Sequence, residues 1–575
     1  MTSLALDSRL QSGAARPEGR LARWAVPLVP AAAALAVSLI GIGRPSFWLD
    51  EAATISATSR SVGQMLHLFH HLDLVHAFYY LVMKVWVAAF GAGETALRLP
   101  SALATTAAAA GVALIGRRCA GPLAGTLAGL AYAGSVPVSV YAQEARSYAM
   151  VTTVAVLATY LLVRGVHPQE RHPWRWFAGY GVAALLLGLL HLDGILLLPA
   201  HGTTLLLARS KARRTWVRWT VCGGLAGALL LPLALAAHTQ TEQVAWLPRP
   251  SWMLAWRLVK FMVGGSHLVA PTLVLALIGA FAGLRAQGAD GGNGTDGGDG
   301  TDGGDGGDGG DRGDGARRSA AGSSVPLTVL ALPWLLVPSA LLFLASMATD
   351  PMFIFRYVLF CVPALSLFMG AGLARVAAFW RPWLGGALLA VAVAALVVPS
   401  IQPQTAVRRH DGKLDDVRTP AEIVRREAHN GDPILYLNGV VRWESGAYPD
   451  AFGRLRDIGL AEDPVHAGNF TGRDKLPWQL RAPLVRTDRL WVMRTRSISE
   501  TPGPLVDKRL KLVQATGPWR IEGRWRFKGG RLILYVRTGP YRSPSKAHGP
   551  TTKPRSTAKP RPAAPKPHRT APAAP

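Results

Sequence analysis

The sequence predicts a polytopic α-helical membrane protein with a small α/β domain at its C-terminal end. Three observations lead there. Half of the 575 residues are hydrophobic, only 17% are charged, and the mean hydropathy is +0.21, whereas a soluble chain carries about 25% charged residues. Apolar runs of membrane-crossing length, about 20 residues as a helix, recur through residues 1–401, and the polarity turns mixed after them. The net charge of +27 comes from Lys and Arg in short loops between those runs, in the polar C-terminal region and in a Pro-rich tail. That is the charge pattern of membrane topology rather than of nucleic-acid binding. Cys119, Cys222 and Cys361 lie in or beside apolar runs with no CxxC, so neither a disulfide scaffold nor a zinc site is indicated.

Taken in order, Arg9, Arg16, Arg20 and Arg23 precede Ala25–Ile42. This reads as an uncleaved first helix with a cytoplasmic N-terminus, which leaves Asp50-Glu51 outside. Leu72–Phe90 is assigned to the membrane surface or a re-entrant position. Leu97–Ile115, Leu123–Val140 and Ala149–Val163 alternate across the bilayer, and the basic stretches Arg117-Arg118 and Arg164–Arg175 mark the inner side. Phe177–Leu207 is too long for one helix and breaks at His191-Leu192-Asp193-Gly194, so two helices are expected. Val221–Ala237 and Leu268–Leu284 follow. Gly288–Gly315 is a Gly/Asp repeat expected to be disordered and cytoplasmic. Val325–Met347, Val358–Leu373 and Leu384–Val398 complete about eleven spans by the length rule, with the C-terminus outside.

Residues 402–541 read as an extracytoplasmic α/β domain, with a helix at Pro420–His429 and strands at Ile434–Leu437, Leu490–Met493 and Leu532–Val536. From Arg542 to residue 575 Pro, Ala, Lys and Arg dominate. The tail is expected to be disordered and basic, serving solubility or attraction to anionic envelope polymers and lipid headgroups.

Five polar groups sit at the expected outer ends of the spans. Asp50 and Glu51 follow the aromatic pair Phe47-Trp48; carboxylates near hydrocarbon are costly and suggest function, though loop acids also close helix ends. His70, His71, Asp73 and His76 lead into Tyr79 and Tyr80. Their separations suit a metal, but there is no HExxH, and interfacial His and Tyr commonly anchor helices. Gln143, Glu144 and Arg146 offer an acceptor and a cation to a sugar phosphate, or simply pair with one another. His191 and Asp193 fall at a helix turn, where capping is the plainer role. Arg356 and Tyr357 enter a helix from outside; the guanidinium fork suits a phosphate, and snorkelling is the alternative. Such a set could let a carboxylate deprotonate a hydroxyl while cations stabilise a phosphate leaving group. No Walker-type loop is present, which argues against a nucleotide-driven pump.

In these residues the sequence resembles the membrane glycosyltransferases of the GT-C fold, specifically the bacterial family 39 relatives of protein O-mannosyltransferases. The resemblance rests on Asp50-Glu51-Ala52, on Asp73 through Tyr80, on Glu94 through Ser101, on Gln143 through Ala149, and on Arg356-Tyr357. It is close over the N-terminal third and looser beyond. The family has His-Pro-Pro before its aromatic pair, whereas His76 is followed here by Ala77-Phe78, a departure that bears on the acceptor or donor sugar more than on the reaction class. The resemblance implies transfer of a sugar, mannose by expectation, from a polyprenyl-phosphate carrier to a hydroxyl at the outer face of the bacterial cell membrane. By it Asp50 is the catalytic base with Glu51 in support, and Glu144, Arg146, Arg356 and Tyr357 line the donor phosphate. Asp73, His76, Tyr80, Gln143, His191 and Asp193 line the substrates. The implied partners are the lipid-linked donor, the bilayer and a protein, glycolipid or polysaccharide acceptor, with no nucleic acid; no cofactor is required, and a divalent metal is left open. The alternatives are a transporter, which would place ionisable groups mid-span among inverted repeats, and a non-catalytic envelope scaffold, against which Asp50-Glu51 argues.

Overall fold

The structure is a computed structural model that describes residues 20–208, 212–240, 247, 249–291, 325–349, 351–379, 381–495 and 504–540. The tail from Arg542 and most of the Gly/Asp repeat lie outside the described residues. Residues 288–291, expected to begin the disordered repeat, instead continue a helix.

The chain begins with α1 (Arg20–Leu39), the short helices α2 (Leu49–Thr58) and α3 (Val62–His71), and α4 (Ala77–Phe90). The helical bundle continues through α5 (Glu94–Ala120), α6 (Pro122–Gly134), α7 (Val136–Ala142), α8 (Tyr148–Gly165), α9 (Pro173–Leu190) and α10 (Leu197–Leu207). It is completed by α11 (Arg213–His238), α12 (Trp252–Val263), α13 (Val269–Gly291), α14 (Leu327–Ala348), α15 (Val362–Ala377) and α16 (Pro382–Val407). Among the described residues six helices are long and apolar enough to cross a membrane, or eight if the bent pairs α6–α7 and α12–α13 each count as one span. About eleven were expected, and the difference has a physical source. Arg23–Leu39 and Leu192–Leu207 are apolar but shorter than a crossing helix, and α9 opens on Trp174-Arg175-Trp176, which dilutes its apolar stretch. Leu74–Phe90, assigned to a surface or re-entrant position, is likewise a short apolar helix.

Two devices hold the bundle. Small residues let helices touch backbone to backbone, as where Gly279 of α13 faces Phe368 and Gly372 of α15. A polar network joins four helices inside the apolar interior. His201 on α10 meets Thr159 of α8 and Tyr180 of α9, each at 3.1 Å, and the Trp219 indole of α11 donates to the same tyrosine. Each member is partnered, so a buried polar cluster that would otherwise be costly fixes the register of the four helices instead.

Beyond the bundle, α17 (Arg418–Glu427) leads into a five-stranded mixed sheet. β1 (Pro433–Tyr436) is flanked in parallel by β2 (Arg456–Asp457) and β5 (Arg489–Thr495); β7 (Gly530–Arg537) is antiparallel to β5 and to β6 (Trp519–Phe527). β3 (Leu460–Glu462) and β4 (Arg473–Asp474) form a separate two-stranded sheet. β1 and β5 read as unbroken apolar runs because both faces are covered. Leu435, Leu490 and Val492 face one core with Leu480, Leu484 and Val513 from flanking helices; Ile434, Trp491 and Met493 join the core continuous with the bundle. The sequence reading found the helix and three of these strands. It missed the two- and three-residue strands β2, β3 and β4, too short to show a period, and β6, whose alternation of apolar residues with Arg and Glu reads as polar when averaged.

Candidate active site

α2 is placed by its N-terminal residues. Phe47 and Trp48 are buried, Asp50 and Glu51 fall in the first turn, where the helix dipole favours acids, and small residues let the helix pack closely. Glu51 is fully buried and its carboxylate is engaged on both oxygens. Arg98 Nε and one terminal nitrogen each donate to it at 2.7 Å, and the Ala145 N–H donates at 3.0 Å. The rest of the Arg98 guanidinium donates to the carbonyls of Ile42, Pro45 and Ser46. Burial alone would raise the Glu51 carboxyl, but Arg98 outweighs it and holds the group below its usual range. Glu51, expected beside the base, therefore has no oxygen to offer a substrate. It pins α2 to α5 and to the loop after α7.

The loop at residues 143–147 is stitched down in the same way. Gln143, expected to line the substrates, donates instead to the carbonyls of Ser38 and Ile40 at the end of α1. Ser101 donates to the Glu144 carbonyl, and Thr54 to that of Ala145. This clamp presents Glu144 and Arg146 inward.

Arg146 is held by the group expected to line the substrates. Its terminal nitrogens donate to the Tyr80 hydroxyl at 2.9 Å and to His76 Nε2 at 2.8 Å. His76 Nδ1 donates in turn to Asp73 at 2.9 Å, and Tyr80 donates to the other oxygen of the same carboxylate. The circuit requires neutral His76 with its proton on Nδ1. Burial would raise the Asp73 carboxyl, yet His76, Arg146 and Tyr80 together hold it well below the usual range. Asp73 takes a left-handed backbone conformation, φ 62°, which lets the carboxylate turn back on the ring three residues later. Among the described residues no three His, Cys, Asp or Glu side chains are grouped to hold a metal.

Asp50 lies at the centre of the remaining charges. Arg356 stands 3.4 Å from its Oδ2, and the Arg356 guanidinium lies over the rings of Tyr148 and Tyr357, 5.8 and 5.9 Å from their centroids. His191 packs against Tyr357 and Tyr148, with ring centroids 4.6 and 5.9 Å away, and its Nδ1 is 3.5 Å from Asp193. Several buried polar atoms here have no hydrogen-bond partner among the described residues: Asp50 Oδ2, Glu144 Oε1, the Tyr148 hydroxyl, His191 Nε2 and Arg356 Nε. Buried polar groups are normally hydrogen-bonded, so these five atoms are left for water or a bound molecule to satisfy. Two residues missed from sequence reach the same place from the segment after α16. Lys413 Nζ is 3.1 Å from Glu144 Oε2. Burial, with the charge of Asp50 adding to it, pushes the Asp415 carboxyl up to about 6, against the pull of Lys528. Burial likewise raises Glu144, with Lys413 opposing. The signal available was the charged run His410 through Asp416 directly after the last apolar span.

The chain is a multi-pass membrane protein, and its fold is that of the GT-C membrane glycosyltransferases. A family model described as dolichyl-phosphate-mannose-protein mannosyltransferase matches residues 77–237, less than a third of the chain. The crystal structure of ArnT from Cupriavidus metallidurans in the apo state aligns with a TM-score of 0.52 at 15% identity, covering 90% of this chain and 98% of that one. The same protein bound to undecaprenyl phosphate aligns with a TM-score of 0.52 at 16% identity, covering 90% and 99%. The archaeal oligosaccharyltransferase AglB from Archaeoglobus fulgidus, with an inhibitory peptide and a dolichol-phosphate, gives 0.46 at 11% identity, covering 89% and 74%. No curated protein matches the chain.

Proposed function

We propose that the chain transfers a sugar from a polyprenyl-phosphate carrier to an acceptor hydroxyl at the outer face of a bacterial cell membrane. The observation that carries this reading is the partly buried carboxylate of Asp50, whose Oδ2 accepts no hydrogen bond among the described residues and stands 3.4 Å from Arg356, within the field of Glu144 and Lys413. In the proposed step the acceptor oxygen attacks the anomeric carbon as Asp50 takes its proton. The bond from that carbon to the phosphate oxygen breaks, and its electron pair leaves with the polyprenyl phosphate. The leaving phosphate gains one negative charge, which Arg356 is placed to stabilise through its guanidinium fork. Arg146 supports the site by position, since its terminal nitrogens are already committed to Tyr80 and His76.

Two likenesses support the donor class: the matched family model names dolichyl-phosphate-mannose, and the ArnT structure was bound to undecaprenyl phosphate. Mannose is the sugar proposed, with a protein, glycolipid or polysaccharide hydroxyl as acceptor. The orientation follows the charges, with the C-terminal α/β domain outside and the N-terminus inside. Arg117 and Arg118 end α5 opposite Glu94, and exposed Trp24, Trp174 and Trp383 adjoin Arg23, Arg175 and Arg381 as an interfacial belt.

Asp50→Asn tests the reading, since it keeps shape and hydrogen bonding but cannot accept a proton. Single-turnover transfer from polyprenyl-phosphate mannose should fall by roughly a hundred- to ten-thousand-fold, while donor binding on the same purified protein persists. Transfer at the wild-type rate would remove Asp50 as the base, and joint loss of binding and transfer would make it structural.

A further inference from the structure

Between α16 and α17 the chain runs back to the site as a strap fastened from two sides. Ser46, just before α2, receives hydrogen bonds on its hydroxyl from the Val417 and Arg418 N–H groups, both at 3.0 Å, and its own N–H donates to the His410 carbonyl at 2.9 Å. On the other side, the turn between β6 and β7 grips the strap. Lys528 Nζ donates to the Asp411 carbonyl at 2.6 Å, and the Asp416 N–H donates to the Lys528 carbonyl at 3.0 Å. The outer domain and the segment that positions Asp50 therefore hold the strap between them.

From this strap Lys413 enters the site. Its side chain is 6% exposed, and Glu144 Oε2 accepts its one hydrogen bond among the described residues. Glu144 Oε1 has no partner among them. An ammonium offers three N–H donors, and one buried beside a single carboxylate is poorly compensated for the water it has lost. Lys413 also acts electrostatically on Glu51, and Glu144 feels Lys413, Asp50 and Arg356, so the ammonium belongs to the charge cluster around Asp50.

We propose that Lys413 is a ligand of the donor phosphate, supplied to the reaction centre by the outer domain's strap, and that Glu144 holds the ammonium in place until the phosphate arrives. The inference rests on the polyprenyl-phosphate reading above. It adds a second cation beside Arg356, from a part of the chain beyond the matched residues 77–237. The bland alternative is a structural ion pair that only tethers the strap.

The two part company in the binding of undecaprenyl phosphate, the leaving group without its sugar, to the purified full chain. Lys413→Met combined with Glu144→Gln removes both charges and leaves no buried ion unpaired. The double variant should melt near the wild-type temperature yet bind undecaprenyl phosphate at least about tenfold more weakly, the worth of a charge-assisted hydrogen bond. Glu144→Gln alone, which frees the ammonium, should bind it as tightly as wild type or more so. Wild-type affinity in the double variant would overturn the proposal, and so would a tenfold loss in Glu144→Gln. If the wild-type chain itself fails to bind undecaprenyl phosphate, the polyprenyl-phosphate reading fails first and the role of Lys413 goes with it.

Discussion

Arg98 and Glu51 show how one buried pair can set the position of Asp50, the proposed base, which the pair's charged groups do not contact. The guanidinium spends its donors on two carboxylate oxygens and three carbonyls, and both side chains are wholly buried. Removing one partner of such a pair costs about 3–5 kcal/mol, because the other charge stays buried and uncompensated. Arg98→Lys keeps the charge but cannot reach five acceptors with three donors. The expected outcome is a clear drop in the melting temperature of the purified protein, with transfer activity lost in step as α2 shifts. A variant that melts and turns over like wild type would show that the fork is dispensable. Asp73 and His76 act similarly towards Arg146. Sequence reading singles out Glu51, Asp73, His76 and Arg146 but carries Arg98 only inside the Glu94–Ser101 motif, since residue types and spacing advertise polar chemistry without saying which group faces the substrate and which holds its neighbour.

At the scale of elements, close backbone approach decides the bundle. A Cβ at Gly372 of α15 would press on the backbone of Leu275 in α13, and one at Gly279 on the Phe368 carbonyl. Backbone cannot move aside as a side chain tip can, so overpacking here should cost about 1–3 kcal/mol. Gly372→Val should lower the melting temperature well below that of Gly224→Val in α11, where a Cβ meets open space. Equal melting of the two variants would mean that α13 and α15 separate freely. These contacts were invisible beforehand because a glycine in an apolar run reads the same whether it faces lipid or another helix. The bent pairs were hidden for a related reason. Hydropathy averages over Pro122–Ala142 as one run, while the 62° bend falls within it.

At the scale of the whole molecule, the proposed orientation makes a prediction about sides. A periplasmic reporter fused after Tyr541 should be active outside the cell, and a cytoplasmic reporter inserted between residues 292 and 324 should be active inside. Both on one side would require an even number of crossings between α13 and the outer domain, and would put Asp50 on the wrong face for an external acceptor. The strap ties this topology to chemistry, because Lys413 can meet Glu144 only if the end of α16 and the loop after α7 emerge together.

The order of residues alone marks this chain as a multi-pass membrane protein and points to the polar segments at one end of its helices. Hydropathy, charge placement and short motifs are local properties, and the chain displays them in order. The tertiary structure decided what those segments do to one another. It turned Glu51, Gln143, Asp73 and His76 inward onto protein partners, left an oxygen of Asp50 beside Arg356 and one of Glu144 without hydrogen bonds among the described residues, and brought Lys413 to a carboxylate 269 residues away. The physical reason is that burial creates these roles. A carboxylate has no fixed function until folding removes its water and supplies, or withholds, the groups that replace it.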